Sequence, residues 1–170
     1  MTHRGASNPS WVCLLLALVV SGGAFAAQSG AAALTVSGDV STPLALAAAD
    51  IKGMPRTRVE VKEDGKTFGY EGVLVGEILK RAGAPLGADL RGPAAATYVL
   101  ASAPDGYQVV FSLAELDPAF TSNDIIVADS MDGKPLEASQ GPLRIIAPKD
   151  SRRSRSIRML QRLEVVRLRK

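Results

Sequence analysis

The sequence predicts an α+β domain built mostly from strands, with a few short helices. Short runs that alternate apolar and polar residues recur along it, the period of a half-exposed strand. Asp-Gly pairs stand between several of these runs, at Asp64-Gly65, Asp105-Gly106 and Asp132-Gly133. Tight hairpin turns need residues that accept left-handed backbone, and Asp-Gly supplies them. A full helical apolar face is clearest in one stretch, Val73 to Ala82.

The chain opens on a leader. Residues 1–10 carry Arg4 and His3, and Trp11 to Val20 (WVCLLLALVV) is an unbroken apolar run. Ser21-Gly22-Gly23 then breaks a helix, and Ala24-Phe25-Ala26 has the small-x-small pattern of a signal-peptide cleavage site. Such a run falls well short of the roughly 20 residues a membrane span needs. The expectation is a signal peptide over 1–26, a periplasmic or secreted protein, and no stable membrane span after cleavage. Cys13 lies at the front of the apolar run, which argues against a lipoprotein anchor. No Arg-Arg pair precedes the run, so no twin-arginine signal is visible. Removing 26 of 170 residues leaves 144, enough for one domain with its own core. Arg4 is the only charge removed, so the formal charge falls from +3 to +2. Residues 27–33 (AQSGAAA) read as a flexible tether and 34–168 as the domain.

The elements follow in order. Leu34 to Gly38 is a first strand. Ala47 to Met54 suits a short helix that Pro55 stops. Arg58 to Lys62 (RVEVK) alternates, turns at Asp64-Gly65, and returns over Thr67 to Gly72. In the helix that follows, Leu74, Val75, Ile78, Leu79 and Ala82 share a face, and Gly83 and Pro85 end it. Thr97 to Ala101 and Tyr107 to Phe111 form the next hairpin. Ser112 and Glu115 fit a capping box that opens a short helix closed by Pro118. Ile125 to Ala128 and Leu143 to Ala147 are apolar strands, and Arg162 to Leu168 is the last.

His3 and Cys13 are the only histidine and cysteine, and both lie in the leader. The mature chain therefore lacks the usual neutral-pH base, a thiolate nucleophile and the soft ligands for zinc, haem or iron–sulfur. Its chemistry rests on carboxylates, Arg, Lys, Tyr, hydroxyls and backbone. Glu60, Glu63, Asp64 and Glu71 flank a turn and read as solvated rather than as a glycosidase pair. Asp124, Asp129 and Asp132 lack the spacing of a glycine-rich calcium loop. Tyr98 and Tyr107 read as core or hairpin partners. From Arg152 to Lys170 there are eight Arg/Lys and one acid, Glu164. The tail suits an edge strand that discourages aggregation, or a surface for an anionic ligand or an envelope protein. Export and the lack of interleaved aromatics argue against nucleic acid.

Eight blocks stand in sequence: Asp50 to Pro55 (DIKGMP), Tyr70 to Leu74 (YEGVL), Ile78 to Gly83 (ILKRAG), Asp105 to Tyr107 (DGY), Ile125 to Asp129 (IIVAD), Asp132 to Leu136 (DGKPL), Gly141 to Pro148 (GPLRIIAP) and Ser156 to Val165 (SIRMLQRLEV). In this order they resemble the molybdopterin-binding domain of the sulfite oxidase family, in particular its small exported single-domain members. The resemblance covers about 34–168. It implies a mixed β-sheet α+β fold packed around a pterin cleft, and molybdopterin as the cofactor. It places Arg144 at the pterin-contacting arginine and Gln140, with a one-residue gap, near the family's asparagine. Ser156, Ile157 and Arg158 match the stretch that wraps the cofactor. Arg144 also suits an outward position on an alternating strand.

Catalytic members carry a molybdenum-binding cysteine on an early strand. The corresponding stretch here, about Val59 to Glu63 (VEVKE), has none, and a carboxylate or amine does not replace a soft thiolate. Molybdenum cofactor is also loaded before folded export, and no twin-arginine signal is seen. The expectation is an exported, oxidoreductase-like but non-catalytic domain that binds a pterin or another anion, with no catalytic residue and no metal ligand. A protein- or envelope-binding module on the same fold is the first alternative. A molybdenum oxidoreductase with a non-cysteine ligand is the second.

Overall fold

A computed structural model describes residues 33–169. The leader and all but the last residue of the tether lie outside the described residues. The strands are β1 (Leu34–Gly38), β2 (Leu44–Leu46), β3 (Thr57–Glu63), β4 (Lys66–Leu74), β5 (Thr97–Ser102), β6 (Gln108–Ser112), β7 (Ile126–Met131), β8 (Lys134–Pro135), β9 (Arg144–Ile146) and β10 (Arg162–Arg167). The helices are α1 (Ala48–Lys52) and α2 (Val75–Arg81), and short 3-10 turns cover Gly87–Asp89, Gly92–Ala96, Ala114–Leu116 and Arg153–Arg155. No helix among the described residues is long and apolar enough to cross a membrane.

The strands form two sheets. One runs β2-β1-β10-β5-β6; the other runs β3-β4-β7-β8, with β9 also paired to β7. β1 and β10 are parallel and the other pairs antiparallel. The fold is therefore a mixed-sheet α+β domain. β3 buries Val59 and Val61 and exposes the polar residues between them, as its alternation predicts. The main core joins the β1-β10-β5-β6 sheet to α2 and to Val73, Val127 and Ile145 of the second sheet. A smaller cluster, Val59, Val61, Tyr70, Ile126, Ala128 and Ile146, covers the second sheet's other face.

Three expectations are corrected. α2 begins two residues later than its apolar face suggests, because Val73 and Leu74 pair with Val127 and Ile126 as the end of β4. The Val75 amide then donates to the Ile125 carbonyl at 2.9 Å, turning strand into helix. The basic last strand is not an edge. β10 lies between β1 and β5, with Leu163 and Val165 fully buried. Asp39 receives its charged end, accepting from the Arg167 amide at 2.9 Å and from Arg169 at 2.6 Å. The Ser112–Glu115 capping box forms, with bonds of 2.7 and 3.3 Å, but it closes a single 3-10 turn.

Between β4 and β7 the register slips at Glu71/Gly72, so that Asp129 is the extra residue of a bulge. Bulges re-aim side chains. Here the Asp129 carboxylate accepts two bonds from Arg56, at 2.6 and 2.8 Å. Burial by itself would raise the Asp129 carboxyl, but the Arg56 bonds and charge hold it below its ordinary value. A carboxyl depressed on folding contributes stability above its unfolded pKa of about 3.9, and that stability is lost as pH falls through the lower folded value. The pair is partly exposed, so its contribution is on the order of 1 kcal/mol. Urea unfolding of wild type and Arg56→Met should differ by that amount at pH 7 and converge on acidification below about pH 4; parallel pH profiles would refute the assignment.

Candidate functional site

Two cavities of about 490 and 470 Å³ adjoin and share Arg153, Ser156 and Arg158 as walls. Together they form a cleft where the β3–β4 hairpin tip, the start of β9 and the segment 153–159 meet. Arg144, Gln140 and Glu63 line one lobe. Tyr107, Ile157 and Met159 line the other.

Arg144 sits on short β9, all three of whose residues are buried. It faces the same side as Ile146, towards Tyr70, and is 7% exposed. Its Nη1 donates to the Tyr70 hydroxyl at 3.1 Å and to Gln140 Oε1 at 2.6 Å. The guanidinium carbon lies 5.4 Å from the Tyr70 ring centroid, within cation–π range. Burial pushes the Tyr70 phenol upward, and the Arg144 charge partly offsets this. The outward, solvated alternative for Arg144 is thus set aside.

The segment carrying Arg153 is itself clamped. Arg155 donates to Asp150 at 2.7 and 2.9 Å and to Glu115 at 2.9 Å, over the Phe111 ring at 4.9 Å. These bonds, led by those to Asp150, raise its pKa further above the usual arginine value. The Ala147 amide donates to Ser156 Oγ at 3.2 Å. Met159 holds left-handed backbone (φ 51) and donates its amide to the Gln140 carbonyl at 2.9 Å. A non-glycine residue in that region costs about 1–2 kcal/mol, so surrounding contacts hold the turn that presents Arg158.

The fold gathers Gln140, Arg144, Ser156, Ile157 and Arg158 around this cleft. Ile157 is 2% exposed and its side chain belongs to the main core. Arg158 is exposed at the junction of the lobes. Three further residues line the cleft. Arg153 lies in the tract Ser151 to Arg155, where no spacing distinguishes one arginine from the next. Tyr107 lies at the rim, 47% exposed, and donates to the Ser154 carbonyl at 2.7 Å. It closes the β5–β6 hairpin, its carbonyl accepting from the Ala103 amide at 3.0 Å, as its reading as a hairpin residue allowed, and it is not a core residue. Glu63, expected to be solvated, faces Arg153 Nη1 at 3.2 Å and Arg144 Nη2 at 3.9 Å. The hairpin brings the carboxylate to the arginines, a contact across sequence that no local pattern shows. Asp129 and Asp132 are committed elsewhere, to Arg56 and to the Gly69 amide.

Five buried side-chain polar atoms among the described residues make no hydrogen bond, and three border the cleft: Arg144 Nε, Arg153 Nη1 and Glu63 Oε1. A cleft lined by Arg144, Arg153 and Arg158 suits an anion with several oxygens. The donor set does not suit a sulfur-anchored metal. No cysteine occurs beyond residue 13, and no three His, Cys, Asp or Glu cluster among the described residues. The residues thus fit the organic, anionic part of a pterin cofactor and not its thiolate-bound molybdenum.

Two sheets, few helices and an arginine-lined cleft define a mixed-sheet α+β domain with a site suited to an anion. The chain belongs to the oxidoreductase molybdopterin binding domain family, whose model matches residues 62–170. Among solved structures it is similar to the sulfane dehydrogenase SoxCD from Paracoccus pantotrophus, with a TM-score of 0.60 and 17% identity over 78% of this chain. The match spans 37% of that longer chain, and at this identity the likeness shows the fold. No curated protein matches the sequence.

Proposed function

We propose that this is an exported, non-catalytic member of its family that binds a pterin or a similar organic anion in the arginine cleft. The supporting observation is that buried Arg144, with Arg153 and Arg158, lines one cleft, and that Arg144 and Arg153 each keep a buried guanidinium nitrogen without a hydrogen bond. A charge-assisted bond to such a donor contributes roughly 1.5–3 kcal/mol. Without a thiolate, the site has no means of tuning a soft-ligated metal, so binding rather than redox turnover is its role.

The test uses the chain with its own leader, isolated mature from an exporting host. Oxidation of the denatured protein should release a fluorescent pterin, while elemental analysis should find molybdenum far below one atom per chain. Stoichiometric molybdenum would overturn the non-catalytic reading. A clean protein that ignores added molybdopterin would overturn the ligand.

A further inference from the structure

We infer that Glu63 is a resident counter-ion of the cleft, whose carboxylate the anionic ligand must displace, removing one of the ties that hold the β3–β4 hairpin tip to Arg153. This rests on the reading of the cleft as an anion site. Glu63 is the last residue of β3, immediately before the turn Asp64-Gly65, whose φ angles are 47 and 77. Its side chain and that of Arg153 are only 30% and 29% exposed. Their 3.2 Å approach is an ion pair by distance, yet neither Glu63 Oε1 nor Arg153 Nη1 completes a hydrogen bond. The carboxylate therefore supplies charge without satisfying the donors. Arg144 Nη2 lies 3.9 Å from the same oxygen, and its Nε is unpartnered.

A tetrahedral anion presents several oxygens at once and meets guanidinium donors that Glu63, in its position here, leaves without a hydrogen bond. It also brings negative charge against Glu63, so both cannot occupy the place between the arginines without repulsion. The hairpin tip is tied there by the Glu63 pairs with Arg153 and Arg144 and by a bond from Arg153 to the Lys62 carbonyl. Asp64 beside Glu63 adds like charge, while Lys62 and Lys66, its cross-strand partner, draw it back. Displacement of Glu63 loosens the tip, so that ligand binding and hairpin mobility rise together.

The experiment titrates wild type and Glu63→Gln with inorganic phosphate at fixed ionic strength, by calorimetry. Glu63→Gln keeps the shape and removes the charge, and should bind phosphate roughly tenfold more tightly, about 1.4 kcal/mol. In parallel, amide exchange over residues 62–66 of wild type should quicken when phosphate is added. Equal affinities, or slower exchange at the tip, would overturn the role of Glu63 while leaving the anion site standing. Failure of both proteins to bind phosphate would instead bring down the site reading. Should Glu63→Gln fold poorly, the wild-type exchange measurement decides alone.

Discussion

Arg144→Met should weaken phosphate or pterin binding by about 100-fold and lower stability by about 2 kcal/mol. Arg144 is the most deeply placed cation of the cleft, and three groups depend on it: the Tyr70 hydroxyl, Gln140 and Glu63. The methionine keeps much of the stem's volume, so the loss reads the guanidinium rather than a cavity. Tyr70 is 1% exposed and cannot turn its hydroxyl to water, whereas Glu63 and Gln140 are open enough to rehydrate. The cost thus falls below that of breaking a fully buried pair, about 3–5 kcal/mol. Arg158→Met supplies the contrast. Arg158 is exposed and makes no ion pair among the described residues, so its loss should cost about tenfold or less in binding and little in stability. Calorimetric titration and urea unfolding of both variants separate the two expectations. Equal binding losses would show that Arg144 is a structural arginine and that the ligand sits elsewhere.

Strands and turns were legible because their causes are local. Alternation at Arg58 to Lys62 and the Asp-Gly pairs at 64, 105 and 132 act within a few residues, and the backbone adopts hairpins at each. What escaped was set by partners distant in sequence. The start of α2 depends on β7, which captures Val73 and Leu74. The place of β10 depends on β1, more than a hundred residues upstream, whose Thr35 pairs with Arg162. A basic strand looks like an edge until a parallel neighbour covers it. The cleft divides the same way. Arg144, Gln140 and the 156–158 stretch carried a motif, and the chain brings them together. The pairing of Glu63 with Arg153 carries none, because an ion pair across two elements leaves no spacing to read.

The stretch that resembles the cysteine-bearing strand of catalytic relatives ends on Glu63. A carboxylate there still delivers one negative charge to the arginines. It does not deliver sulfur's softness. The Glu63–Arg153 contact, an ion pair by distance without a completed hydrogen bond, fits a residue that neutralises the arginines.

Gly72→Ala should be strongly destabilising, by about 3 kcal/mol or more. Gly72 lies on β4 where the bulge brings β7 unusually close. An added Cβ would clash with the Val127 carbonyl oxygen and lie 2.6 Å from both Val127 C and Ala128 Cα. All three are backbone atoms of the neighbouring strand, so relief requires parting β4 from β7. The same movement would shift Tyr70, two residues away, off Arg144. Gly69→Ala on the same strand is the control. Its Cβ would meet the Arg58 guanidinium, 2.5 Å from Nη2, and a flexible exposed side chain swings aside at a cost below about 1 kcal/mol. Chemical denaturation of the two variants should therefore give well-separated midpoints, with anion binding weakened in Gly72→Ala and unchanged in Gly69→Ala. Similar midpoints would mean that the bulge yields easily, and that the β4–β7 pairing is not what holds Tyr70 against Arg144.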